Sequence, residues 1–220
     1  MRETQLQEEL DRLKLALIRM AALAERAVGQ ALRALVERDV PLAAKVLQDD
    51  EQIDKLEVEV DRMALRLLAL QHPLARDLRF VVGGLRIAVD LERIGDQAVN
   101  IAQRVQFLSS RPPLPRNTAL EEMGDAAREM LKQSILAFVN QNAEQAMSIG
   151  RMDNKVDELN VRVLKNLVEY MMGDAPAVER SVQTIIAARC IERLADHSTN
   201  IAESVAFMVN GDNIKHLGRR

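Results

Sequence analysis

An all-α protein is predicted, built as two tandem, pseudo-repeated three-helix bundles forming one elongated six-helix domain. Three observations predict it. Phe, Tyr and Trp together supply five of 220 residues, while Ala, Leu, Glu, Arg and Met dominate, and those side chains lose least on entering a helix. Apolar residues recur at helical spacing over long stretches, whereas strand-length alternation bounded by turn residues is scarce. The second half of the chain also repeats the first.

Glycine and proline punctuate the helices. The first pattern covers 5–38, and Asp39-Val40-Pro41 then offers an N-cap acid followed by a proline in the first turn, where its missing N–H costs nothing. A second pattern continues to 71 and stops at His72-Pro73; a third reaches 108. The segment 109–117, from Ser109 to Asn117, carries Pro112, Pro113 and Pro115 and reads as an extended linker. Three more patterns follow at 118–141, 143–172 and 175–210, the last two parted by Gly173-Asp174-Ala175-Pro176. The repeats are therefore 1–108 and 118–220. A long helix of this kind measures ~45 Å at 1.5 Å per residue, so the bundle should be longer than wide.

The repeat has a nearly constant offset. Leu91-Glu92-Arg93-Ile94-Gly95-Asp96 through Asn100-Ile101-Ala102 returns 100 residues later as Ile191-Glu192-Arg193-Leu194-Ala195-Asp196 through Asn200-Ile201-Ala202. Upstream, Asp50 through Leu56 returns at offset 103 as Asp153 through Leu159, and Met20, Gln30 and Val36 match Met123, Gln133 and Val139 at the same offset. The difference of three falls in a loop, where deletion is tolerated.

Duplication explains matching apolar residues, because both copies need a core. It does not explain matching acids. Ile87, Leu91, Ile94, Ala98, Ile101 and Val105 form the third helix's seam, mirrored by Ala187, Ile191, Leu194, Ser198, Ile201 and Val205. Glu92, Asp96 and Asn100 lie opposite that seam, as do Glu192, Asp196 and Asn200. On the second helix, with Val46, Ile53, Val60 and Leu67 as its seam, Asp50 and Asp54 lie on a flank; Asp153 and Asp157 take the same flank in the fifth. Each repeat thus presents two acidic pairs spaced i, i+4. Two carboxylates ~6 Å apart repel by about 3 kcal/mol at an effective dielectric of 20, and a divalent or trivalent cation reverses that sign. The competing reading is ordinary solvated acids neutralised by Arg93 and Arg193. No Glu-x-x-His motif of a ferritin-like di-iron site occurs.

From Leu85 to Ala102 the sequence resembles the PhoU family of phosphate-uptake regulators. Ala188 to Glu203, with the ending Val209-Asn210-Gly211-Asp212, is similar to that family's C-terminal motif. The resemblance spans essentially the whole chain. It implies a cytoplasmic regulator at the inner face of the membrane that restrains the Pst phosphate ABC transporter and quiets the phosphate-starvation sensor kinase. It also implies metal ions on surface Glu/Asp-x-x-x-Asp motifs, here Asp50 with Asp54, Glu92 with Asp96, Asp153 with Asp157, and Glu192 with Asp196. The expected ions are divalent or trivalent, from among Fe, Zn, Mn and Mg. The expected partners are the transporter ATPase subunit, the sensor histidine kinase and a second copy of the chain in a homodimer. Gln97 stands where the family often has histidine, as at His197.

Composition narrows the alternatives. Thirty Lys+Arg against 33 Asp+Glu give a net charge of −3, and no basic run appears, which argues against nucleic acid as a partner. One cysteine, Cys190, allows no intrachain disulfide and fits a reducing compartment. The charged start, Met1 to Glu9, is unlike a signal peptide, and no apolar run approaches bilayer length. Cys190 reads as a packed thiol, and His197 as either a ligand beside Asp196 or an interhelical histidine. Arg76, Arg79 and Arg86 form either a solvated face or a dock for acidic partners. Val81-Val82-Gly83-Gly84 lacks the Lys-Ser or Lys-Thr of a phosphate loop. The chain is therefore read as no enzyme; a metal-dependent hydrolase using the carboxylates is the alternative, and needs a cleft between them. A structural spacer predicts no metal.

Overall fold

The structure is a computed structural model that describes residues 2–211, with side chains from Gln5 onward. Its helices are α1 (Arg2–Glu37), α2 (Val40–Asp49), α3 (Glu51–Arg66), α4 (Ala75–Ser109), α5 (Thr118–Asn140), α6 (Ala143–Gly173) and α7 (Val178–Asn210). No strand occurs among the described residues. Asp212, the last residue of the C-terminal motif, lies outside them.

Local chemistry sets each boundary. Arg38 turns left-handed (φ 59°), and the Asp39 carboxylate then accepts from the Leu42 N–H at 2.9 Å, capping α2 with Pro41 in its first turn. Gln141 repeats the left-handed stop (φ 50°), and Asn142 caps α6 by accepting from Gln145 N–H at 3.0 Å. Gly211, at φ 85°, ends α7.

One expectation needs correcting. The second pattern is not a single helix to residue 71: it breaks at Asp50, where Ile53 N–H bonds back to the Asp50 carbonyl at 2.8 Å, and it closes with a π-helical turn at Leu67–Gln71. The apolar period continues through the break, so periodicity alone does not reveal it. His72 (φ 48°) then ends the rod before Pro73, which disfavours helix at the residue preceding it.

Every seam residue inferred from spacing is inside. Ile87, Leu91, Ile94, Ala98, Ile101 and Val105 are buried, as are Ala187, Ile191, Leu194, Ser198, Ile201 and Val205, and Val46, Ile53, Val60 and Leu67. All but Ala187 and Ser198 belong, with residues of α1 and α5, to one continuous core that runs through both repeats. The spine is α4 against α7. They run antiparallel, since contacts pair Arg79 with Met208, Asp90 with His197 and Arg104 with Gln183. Gly83 serves this packing and Gly84 that of α4 on α1: a Cβ on Gly83 would stand 2.2 Å from Met208 Cγ, and one on Gly84 3.0 Å from Leu17 Cδ1.

The chain from 111 to 117 is extended and held down. Arg180 donates to the carbonyls of Pro112 (3.1 Å) and Pro113 (3.4 Å), and Arg38 donates to that of Leu108 (2.6 Å).

Candidate functional site

The break at Asp50 positions the first acidic cluster. It lets α2 and α3 bend over α4, and Gly95 permits the approach: a Cβ there would lie 2.9 Å from Ile53 Cδ1 and 3.2 Å from Asp50 Oδ1. Asp50 is half-buried at the junction, Asp54 exposed on α3, Glu92 half-buried and Asp96 exposed on α4. The two helices therefore bring all four together. Burial, then the charges of Asp54 and Asp96, push the Asp50 carboxyl up to about 6. Burial, then Asp96, Glu57 and Asp54, push Glu92 up to about 7, against the lowering influence of Arg93. Arg93 lowers the Glu92 carboxyl by less than burial and the neighbouring acids raise it.

Glu57 belongs to this cluster and was not singled out from the sequence. Burial and the charges of Asp61, Asp54 and Asp96 raise its carboxyl too. A signal was available, because Asp50, Asp54, Glu57 and Asp61 step by 4, 3 and 4 and so share one helical face.

The acids of the second repeat hold the equivalent sequence positions on α6 and α7. Asp153, Glu192 and Asp196 are half-buried and Asp157 is exposed. At the register of Glu57, 103 residues on, stands Asn160, 8% exposed, whose Oδ1 is buried and accepts no hydrogen bond among the described residues. A buried acceptor without a donor costs about 1–3 kcal/mol, and a cation would satisfy it.

These donor sets fit a hard cation in kind. Both supply carboxylate oxygens from two helices, the first with mutual repulsion to relieve and the second with an orphaned amide oxygen. Among the described residues no three His, Cys, Asp or Glu side chains yet converge as a ready ligand set, so binding requires side chains to rotate inward. A groove of about 680 Å³ runs between α1 and α5, but none of the eight acids lines it. Asp196 alone of the eight lines another cavity, between α4 and α7.

Other candidates resolve differently. The Nδ1 of His197 lies 3.0 Å from Asp90 Oδ1, and Asn200 Nδ2 donates to the same oxygen at 3.2 Å. His197 is therefore interhelical, with only Nε2 available elsewhere; Asp90 as its anchor was not foreseen. Cys190 is a buried free thiol that burial pushes up, so it is packed rather than reactive. The arginines at 76, 79 and 86 each have a partner within the chain: Arg76 donates to Gln141, Arg79 to the Met208 carbonyl at 3.4 Å, and Arg86 stacks 4.8 Å above the Phe207 ring. All three tie α4 to the other repeat.

Fold and sequence define a class, the duplicated all-helical proteins whose three-helix repeats carry matching i, i+4 acidic pairs. The PhoU domain model matches residues 17–105 and again 120–205, and the chain belongs to the PhoU family. It is 36% identical to a Pseudomonas putida protein over 215 residues, 97% of this chain and 84% of that one. It is also 36% identical to one from Aquifex aeolicus over 95% of both chains. Both are named phosphate-specific transport system accessory protein PhoU homologs. The crystal structure of PhoU from Pseudomonas aeruginosa superposes with a TM-score of 0.90 at 35% identity, covering 94% of this chain and 99% of that one. The phosphate transport system regulatory protein PhoU from Streptococcus pneumoniae gives 0.88 at 28% identity, covering 96% and 99%. Among the described residues no helix is long and apolar enough to cross a membrane.

Proposed function

We propose that this chain is a cytoplasmic, metal-binding negative regulator of phosphate uptake and of the phosphate-starvation response. It acts by contact, docking as a homodimer on the ATPase subunit of a Pst-type phosphate ABC transporter and on the phosphate sensor histidine kinase, so that it is held at the inner membrane by protein partners. The membership of a family of accessory proteins supports the setting. The observation that carries the metal-dependent part is the gathering of Asp50 at the α2–α3 junction, Asp54 on α3, and Glu92 and Asp96 on α4, close enough to raise the Asp50 and Glu92 carboxyls well above their usual range. A group of like charges that a fold holds together is stabilised by a counter-ion.

Contact rather than catalysis is favoured by where the acids stand, on an open helical surface that offers little to exclude water around a substrate. A strain lacking the chain should express phosphate-starvation genes even in high phosphate, and the effect should vanish when the sensor kinase is also removed. Derepression that persists without the kinase would sink this reading.

A further inference from the structure

Duplication gives the bundle two pseudo-equivalent ends, and the two differ. Arg38, where α1 stops, corresponds at offset 103 to Gln141, where α5 stops, and both are left-handed (φ 59° and 50°). Leu35 corresponds in the same way to Phe138; at offset 100, Leu108 corresponds to Met208 and Arg180 to Phe80. Phe80, Phe138, Gln141 and Met208 close their end: the two rings stack with centroids 6.4 Å apart, and the space left there is about 20 Å³. Their counterparts Arg180, Leu35, Arg38 and Leu108 leave the other end open as a pocket of about 330 Å³, lined also by Leu114 and Leu120. None of the eight acids lines it.

Packing alone gives no reason for an arginine where the other repeat seats a ring. Arg180 is 8% exposed; its Nη1 donates to the carbonyls of Pro112 and Pro113, and its Nη2 stands 3.6 Å from the Asp174 carboxylate, which lies outside the pocket. Arg38 is half-buried and donates from Nη2 to the carbonyls of Leu108 and Arg111, which leaves Nε and Nη1, and it has no ion pair among the described residues. Backbone carbonyls thus hold both guanidinium groups in place. Glu121, which also lines the pocket, is engaged by Arg116 at 2.6 and 2.8 Å. With Arg116 set against Glu121 and Arg180 against Asp174, the charge of Arg38 remains over. One positive charge beside an apolar wall is the complement of a monoanion with an apolar body.

We propose that this pocket binds a small carboxylate with an aliphatic body, its head group on Arg38 and Arg180 and its chain among Leu35, Leu108, Leu114 and Leu120. A guanidinium presents N–H donors in a fork that matches the two oxygens of a carboxylate. Acetate has the head group but leaves the apolar wall wet. An alcohol covers the wall but leaves Arg38 without an anion, and a phosphate monoester brings more negative charge than the pocket offsets. Each methylene of the chain that becomes buried should tighten binding about fourfold until the pocket is full. The site shares no group with the carboxylate clusters and does not rest on the regulatory reading above.

The test is calorimetric titration of the full-length chain, in chelator and at constant ionic strength, with sodium octanoate below its micellar concentration. Binding should saturate, tighten along the series butanoate, hexanoate, octanoate, and be at least about tenfold weaker for acetate, octan-1-ol and octyl phosphate. The doubly substituted Leu35→Phe, Arg180→Phe chain carries at this end the residues that the other end already seats. It should keep its helical circular dichroism and lose octanoate affinity by about tenfold or more. Arg38→Gln, the residue its counterpart carries at the same left-handed turn, leaves the apolar wall intact and should weaken octanoate by about tenfold while leaving octan-1-ol unchanged. Should the paired variant lose its helical signal, Arg38→Gln decides alone. Unsaturable heats, octan-1-ol or octyl phosphate binding as tightly as octanoate, or octanoate affinity unchanged in Arg38→Gln or in the folded paired variant would each overturn the proposal.

Discussion

At the residue scale, the first cluster couples stability to pH in a definite direction. Asp50 and Glu92 are raised to about 6 and about 7, so the fold favours their protonated forms. Their stability contribution is fully present below the unfolded carboxylate values and is lost as pH rises through 6 to 7. In the metal-free chain, Asp50→Asn should therefore melt no higher than wild type near pH 4 and measurably higher near pH 8, a difference that thermal denaturation at the two pH values reads directly. A variant equal to wild type at both values would mean that the charges are relieved some other way. Gly95→Ala tests the approach that creates the cluster. The added methyl gains helix propensity of about 1 kcal/mol but meets Ile53 Cδ1 and Asp50 Oδ1, and overpacking of this kind costs about 1–3 kcal/mol. Denaturant unfolding should show a net loss of stability.

At the element scale, much was legible because helices make burial periodic. The 4, 3, 4, 3, 4 spacing from Ile87 to Val105 places all six seam residues correctly, and the i, i+4 acids point to α3 and α4 as neighbours in the first repeat, where Asp54 and Asp96 act on the same carboxyls. The break at Asp50 was not legible, since the residue keeps helical dihedrals and the apolar period runs on. The destinations of Arg76, Arg79 and Arg86 were hidden for another reason: they depend on how α4 meets α7, a long-range pairing that spacing along one helix does not encode. The same holds for Asp90, whose partners lie more than a hundred residues away. That contact also carries a prediction. His197→Ala removes a partner from a carboxylate only 13% exposed, so unfolding free energy should fall by about 1–3 kcal/mol. A loss confined to a few tenths would show that Asn200 alone suffices.

At the scale of the whole molecule, the two repeats share one core across the α4–α7 spine, while the acids stand at its surface. Metal removal should then leave the fold standing: helical circular dichroism at room temperature should be unchanged by chelation, with only a modest shift in melting temperature, and collapse of the helical signal would make the ions part of the core's support. The central claim, that each repeat holds its own cation through a duplicated carboxylate set, is tested most directly by metal analysis of purified Asp96→Asn and Asp196→Asn beside wild type. Each change keeps size and hydrogen-bonding capacity and removes one charge. The account predicts that each variant loses metal from its own repeat, that the two together lose it from both, and that folding stability changes little in either; metal content equal to wild type in both single variants and in the double variant would contradict it.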